Sequence, residues 1–247
     1  MRNANLPECK VRIIVMSGED NNFIEYIEQK LKIKVIKTSA SRELPYIERF
    51  HPDMQIHSCG GYNYFVRNSC SDLIKKVKEE SLIKNISVCE YNNKYDYPNN
   101  IELNAAHIGN YILCKKSHSN KEMLLWYINN GIKIIDIKQG YARCSTAIVS
   151  NNAIITDDES IYKACKGIND IDVLKINKGS IRLKGCDYGF IGGCCFKSDV
   201  NILTFFGDIK KHSDYYEIKD FCRNYGVELL SLDNSPLIDL GGVVIIE

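Results

Sequence analysis

The sequence predicts an α/β fold: a five-bladed α/β-propeller of ββαβ units, closed by pairing of its N- and C-terminal strands. Three observations predict it. Four short apolar strands begin with asparagine, at Asn63 (NYFVR), Asn110 (NYILC), Asn152 (NAIIT) and Asn201 (NILTF), spaced by 47, 42 and 49 residues. Each leads through a polar turn into a helical segment and a second β-rich run, which is how a structural repeat reads in sequence. The chain ends supply the parts of a fifth unit: VRIIVMSG, the helix NNFIEYIEQKL and the strand IKVIKTS in front, and PLIDLGGVVIIE behind.

Within the four internal units the expected first strands are MQIHSC, IELNAA, CSTAIV and GFIGGCC. The helices are expected near 71–80, 119–130, 158–166 and 213–225. The last strands are NISVCE, IKIIDIK, IDVLKIN and VELLSLD. In SNKEMLLWYINNG, Ser119 stands as N-cap with Glu122 three residues on, and Gly131 stands at the C-terminal end. Asp157, Asp158 and Glu159 place negative charge at the start of another helix. If the last strand lies beside the first, the sheet edges left by the termini are covered.

The length of 247 residues suits a single domain over 1–247 with a sizeable core. Lysine and arginine total 32 against 31 acidic residues, a balance that excludes nucleic-acid or membrane-surface binding driven by bulk charge. No apolar run approaches the ~18 residues of a bilayer span, and the N-terminal residues lack a secretory pattern, so a cytoplasmic location is expected. The 11 cysteines then read as reduced thiols. No C-x-x-C occurs, and no histidine–cysteine pair is followed by a second at zinc-finger spacing, so neither a metal nor a cofactor is expected. The P-loop, the dinucleotide fingerprint, the serine elbow and the H-E-x-x-H pattern are also missing from the sequence.

Five ββαβ units closed by strands from both termini resemble the pentein fold. That is the fold of guanidino-group-modifying enzymes such as arginine deiminase, amidinotransferase and dimethylargininase, and of the non-catalytic ribosome anti-association factors. PDMQIHSCGGYNYFV resembles the stretch in which Pro-Asp opens a strand lining the active site, with Asp53 as its aspartate. The resemblance implies a small-molecule enzyme, a hydrolase or transferase acting on C–N bonds through a cysteine. It places the nucleophile near Gly241 and the histidine near Tyr141, so neither position is filled here. The alternative it implies is a binding or interaction module without chemistry.

Alternation along each first strand, counted from its asparagine, puts Gln55, His57, Glu102, Asn104, Cys144, Thr146, Gly193 and Cys195 on one polar face. From this face come two candidate nucleophiles, Cys144 and Cys195, with His57 as their base, since an imidazole within hydrogen-bond reach activates a thiol. Both cysteines equally fit as small buried hydrophobes. Asp53, Glu102, Asn104, Arg143 and Asp239 are the expected substrate-binding residues, for a guanidinium needs carboxylates and a substrate carboxylate needs an arginine. Arg143 also fits a surface charge. His51 is expected to support a turn beside Pro52, His107 to sit in a loop, and His118 and His212 to be solvated. GDIKKHSDYYE is read as a solvated segment or a lid.

Overall fold

The computed structural model describes residues 3–80, 85–90 and 96–247. Among the described residues fifteen strands form five three-stranded sheets, and each sheet is one expected unit. The first holds β1 (Ile13–Met16) and β2 (Lys34–Lys37), joined through α1 (Asn21–Tyr26), with β15 (Val243–Ile245) on the other side of β1. After the one-turn helix α2 (Pro52–Gln55), the second holds β3 (Ile56–Gly60), β4 (Asn63–Arg67), α3 (Ser71–Glu79) and β5 (Asn85–Cys89). The third holds β6 (Ala106–Ile108), β7 (Tyr111–Cys114), α4 (Lys121–Asn129) and β8 (Lys133–Asp136). The fourth holds β9 (Thr146–Ser150), β10 (Ala153–Thr156), α5 (Glu159–Lys166) and β11 (Asp172–Lys175). The fifth holds β12 (Cys195–Asp199), β13 (Ile202–Phe205), α6 (Tyr215–Asn224) and β14 (Glu228–Ser231).

Inside each internal unit the first two strands pair antiparallel through a tight turn, and the third pairs parallel after its helix. A parallel partner cannot be reached by a short turn, so the helix is the crossover that such pairing demands. The asparagines explain part of the repeat. Asn63 Nδ2 donates to the carbonyls of Gly60 and Gly61, tying the β3–β4 turn. In α4 the cap is Asn120, not Ser119: its side chain accepts from Met123 N at 2.9 Å, while Ser119 Oγ donates to Lys115 O.

The expected closure is present. β15 lies antiparallel to β1, with Ile14 opposite Ile245, Val15 opposite Val244 and Met16 opposite Val243. Apolar packing continues the cycle. One buried cluster is shared by each consecutive pair of sheets, and the cluster holding Ile14, Met16 and Phe23 also takes in Phe196 and Phe206, joining the fifth sheet to the first. Each sheet therefore buries both faces against its neighbours.

The expected first strands are extended only in part, and where they are not locates the site. The residues before the first strands are not extended. Pro52–Gln55, Asn99–Ile101 and Gly192–Cys194 are single helical turns, and Ser145 N bonds to Tyr141 O as another. Two-residue alternation does not hold in such a turn. The polar face predicted from parity is therefore split among different surroundings.

Candidate active site

The turns ahead of the first strands meet at one end of the cycle. Asp53 comes from α2, Asn104 from the segment before β6, Cys144 from the turn before β9, and Asp239 from the approach to β15. Cys144 Sγ donates to Asp53 Oδ2 at 2.7 Å and receives Asn104 Nδ2 at 3.3 Å. Asn104 is fixed from behind, because its Oδ1 accepts Arg143 N at 2.7 Å. Arg143 donates from its guanidinium to the carbonyls of Thr146 and Gly192, holding the turn that carries Cys144. Asp239 accepts the backbone N–H groups of Phe190 and Gly241, each at 2.9 Å.

The imidazole at this site is that of His51. Its ring, Asp53 and Cys144 have donor atoms all within 4.8 Å of one another, and all three side chains are buried. These are the residues that could hold a metal ion. Gly241, where the resemblance places a nucleophile, explains how His51 reaches the site. A Cβ there would lie 2.5 Å from His51 Cβ and 2.6 Å from Cγ, and the residue has φ +75°. Glycine is needed on both counts. The place from which a thiol would project is filled by imidazole, and the thiol projects three residues beyond Tyr141, where a histidine was implied. Gly193 is restricted in the same way: a Cβ there would meet the Asp239 carboxylate at 1.9 Å. The missing side chain there makes room for the Asp239 carboxylate.

A cleft of about 440 Å³ opens above these groups, with His51, Cys144 and Asp239 in its lining. This is within the usual size for a small-molecule site. Its walls carry Glu48, Tyr141, Tyr188 and Phe190. Glu48 is held by the Tyr141 hydroxyl at 2.6 Å and by Asn100 Nδ2 at 2.7 Å. Tyr141 and Phe190 lie roughly parallel, 6.1 Å apart. Residues 183–190 form one side, and no residue of GDIKKHSDYYE lines the cleft.

Burial dominates the electrostatics. It pushes the Asp53 carboxyl up to about 6, against the pull of His51 and the thiol hydrogen bond. Burial likewise raises Asp239 and Glu48. The Cys144 thiol is driven well above its ordinary range by burial, then by the charges of Asp53 and Asp239. Asp53 Oδ1 is buried and has no hydrogen-bond partner. The buried carboxylates lose hydration that their neighbours only partly replace, a cost that a positively charged ligand relieves.

Three expected site residues lie elsewhere. His57 is a core histidine: Nδ1 meets Leu103 O at 3.0 Å and Nε2 meets the Tyr127 hydroxyl at 2.8 Å, leaving neither nitrogen for a thiol. Burial lowers it to about 3. Cys195 donates to Ile191 O and packs among apolar side chains at the start of β12. Glu102 pairs with Arg67 at 3.2 Å, away from the cleft. Among the other histidines, His107 lies buried in β6 and His212 is buried with its Nδ1 accepting Asp214 N. His51 and Glu48 escaped sequence reasoning. The only signal was adjacency, since His51 directly precedes the Pro-Asp pair and Glu48 stands three residues before it.

Five ββαβ units closed by the two termini, with polar groups gathered at one end, define a pentein fold. Solved structures agree. An amidinotransferase of the saxitoxin pathway from Microseira wollei aligns over 99% of this chain and 97% of its own, with TM-score 0.61 and 10% identity. The inosamine-phosphate amidinotransferase of Streptomyces griseus aligns over 99% and 96%, with TM-score 0.56 and 8% identity. A DDAH variant from Pseudomonas aeruginosa, solved with citrulline, aligns over 91% and 92%, with TM-score 0.52 and 10% identity. No curated protein matches by sequence. The chain itself belongs to DUF6873, a family of unknown function whose model matches residues 15–244. Among the described residues no helix is long and apolar enough to cross a membrane.

Proposed function

We propose that this protein is a thiol-dependent enzyme acting on the C–N bond of a guanidinium or amidinium ion, with Cys144 as nucleophile and His51 as the proton carrier. The observation that carries the reading is the grouping of the Cys144 thiol, the His51 imidazole and the Asp53 carboxylate within 4.8 Å beneath a cleft. The fold supports the substrate class, since its solved neighbours are described as amidinotransferases and agmatine deiminase.

In the free protein Asp53 is the acceptor for the thiol, and burial, then the neighbouring negative charge, keep that thiol protonated. An entering planar cation takes the carboxylates of Asp53 and Asp239 as partners, and its charge favours the thiolate. Sulfur then attacks the amidinium carbon. The bond from that carbon to the leaving amine breaks, and the thiol proton, carried by His51, ends on the amine. Water or a second amine displaces the sulfur and restores the thiol. Asn104 supports Cys144 throughout through its hydrogen bond to sulfur.

The test is turnover. Chelator-treated protein is incubated with a panel of alkylguanidines and amidines, and the released amine is quantified. Wild-type release with loss of more than about 100-fold in Cys144→Ser and His51→Gln is expected, the scale on which catalytic groups act. Release that survives Cys144→Ser would defeat the reading, and silence across the whole panel would leave a non-catalytic scaffold.

A further inference from the structure

We infer that His51, Asp53 and Cys144 bind one divalent ion of the zinc class, with the cleft supplying its remaining ligand from solvent. The inference does not rest on the reaction proposed above. It follows from the donor set, and it holds whether or not an amidinium substrate exists.

The three side chains offer an imidazole nitrogen, a carboxylate oxygen and a thiol sulfur, all within 4.8 Å of one another. They form the one such group of three among the described residues. A mixed sulfur, nitrogen and oxygen set suits zinc or cobalt rather than magnesium or calcium, which take oxygen donors. Three protein ligands with a solvent molecule in the fourth position is the arrangement of open zinc sites, as against closed four-ligand structural ones. Cys144 and His51 both face the cleft, so a solvent ligand can complete a tetrahedron.

Two further observations point to a ligand here. Asp53 is 4% exposed, yet its Oδ1 has no hydrogen-bond partner. A buried carboxylate oxygen left unpaired is costly, and a cation removes that cost. The ligands are also supported from behind. Asn104 holds sulfur, Arg143 N holds Asn104, and the absent side chain of Gly241 makes the space His51 occupies. Such supports orient metal ligands elsewhere.

The adjustment required is small. Sulfur and Asp53 Oδ2 lie 2.7 Å apart because they share the thiol proton. Bond lengths of about 2.3 Å to sulfur and about 2.1 Å to oxygen imply about 3.6 Å between them in a tetrahedron. Rotation of the two side chains covers this difference. Binding exchanges the thiol proton for the metal: one S–H bond breaks, one metal–sulfur bond forms, and the proton leaves to solvent. The sequence spacing concealed the set, because its members stand at 51, 53 and 144 and form no compact motif.

Metal and amidinium would compete, since each needs Asp53 and the Cys144 sulfur. Zinc is then an off-switch for the thiol.

The experiment titrates reduced, chelator-treated full-length protein with Co²⁺, followed by Zn²⁺ against a chromophoric chelator. One equivalent should bind, with a thiolate-to-cobalt charge-transfer band and the intense visible bands of a tetrahedral ion. Cys144→Ser should lose the charge-transfer band, and His51→Gln and Asp53→Asn should each weaken binding by at least about tenfold. A Cys9→Ser variant, which removes an exposed thiol outside the cleft, should bind as wild type does. Should the site variants unfold, the wild-type protein alone decides: peptide-mapped alkylation of Cys144 should slow at least tenfold with one equivalent of Zn²⁺ and recover with chelator. A missing thiolate band, a band that follows Cys9 or survives Cys144→Ser, or a Cys144 alkylated equally with and without zinc overturns the inference. An enzyme that turns over but ignores zinc overturns it too, while zinc binding without turnover counts against the proposed reaction alone.

Discussion

At the scale of single residues, the site separates histidines by their partners. His57 satisfies two buried acceptors and donors, Leu103 O and the Tyr127 hydroxyl, so it works on stability. His57→Leu should cost about 2 kcal/mol or more in denaturant unfolding, the penalty of leaving buried polar groups unpaired, and should leave the alkylation rate of Cys144 near wild type. The reverse pattern is expected for Gly241→Ala. Its new Cβ would overlap His51 at 2.5 Å, so the imidazole is displaced and both turnover and metal affinity fall. Asp53, Asn104, Cys144, Arg143 and Asp239 could be picked out from sequence because each stands at a repeated place in a unit, in the Pro-Asp opening or at the start of the closing strand. His51 could not. Its position depends on an absent side chain at Gly241, far along the chain, and no local pattern encodes that.

At the scale of elements, helices were legible because caps and apolar spacing are local. α3, α4, α5 and α6 fall within the expected ranges. The segments leading into β3, β6, β9 and β12 were misread as strands, since short helical turns share their apolar composition. That error put Glu102, Cys195 and His57 beside Cys144 on paper. The start of α5 carries a further consequence. Asp158 caps it, accepting Ser160 N and Ile161 N. The preceding Asp157 is buried, its Oδ1 is unpartnered, and burial raises its carboxyl to about 7, with Lys178 opposing. The folded state thus binds this proton more tightly than the unfolded chain. The stability it confers is complete below about pH 4 and is lost as pH rises towards 7. Asp157→Asn should therefore raise the melting temperature at pH 8 and change it little at pH 4. Asn120→Ala, which removes the cap of α4, should cost about 1 kcal/mol at any pH.

At the scale of the whole molecule, closure joins stability to the site. β15 completes the first sheet, and the residues just before it deliver Asp239 and Gly241. Val244, 7% exposed, pairs with Val15 and packs with Ile36 and Ile56. Val244→Asp should destabilise the protein by about 3 kcal/mol or more through a buried unpaired charge, and weaken ligand binding in the fraction that remains folded. The repeat was legible in the asparagine-led strands, and closure followed from the unmatched ends. The exchange of places between thiol and imidazole was not legible, because it arises only when all five units are brought round.

The most direct measurement is competitive alkylation of the metal-free native protein, mapped by peptide mass spectrometry. Limiting 2-chloroacetamidine, a cation shaped like the proposed substrate group, is compared with neutral iodoacetamide. Cys144 should be the first of the 11 cysteines to take the amidine, and iodoacetamide should instead favour the exposed Cys9 and Cys186. Amidine taken first by Cys9, which lies outside the cleft, with Cys144 untouched, would contradict Cys144 as a cation-reading thiol.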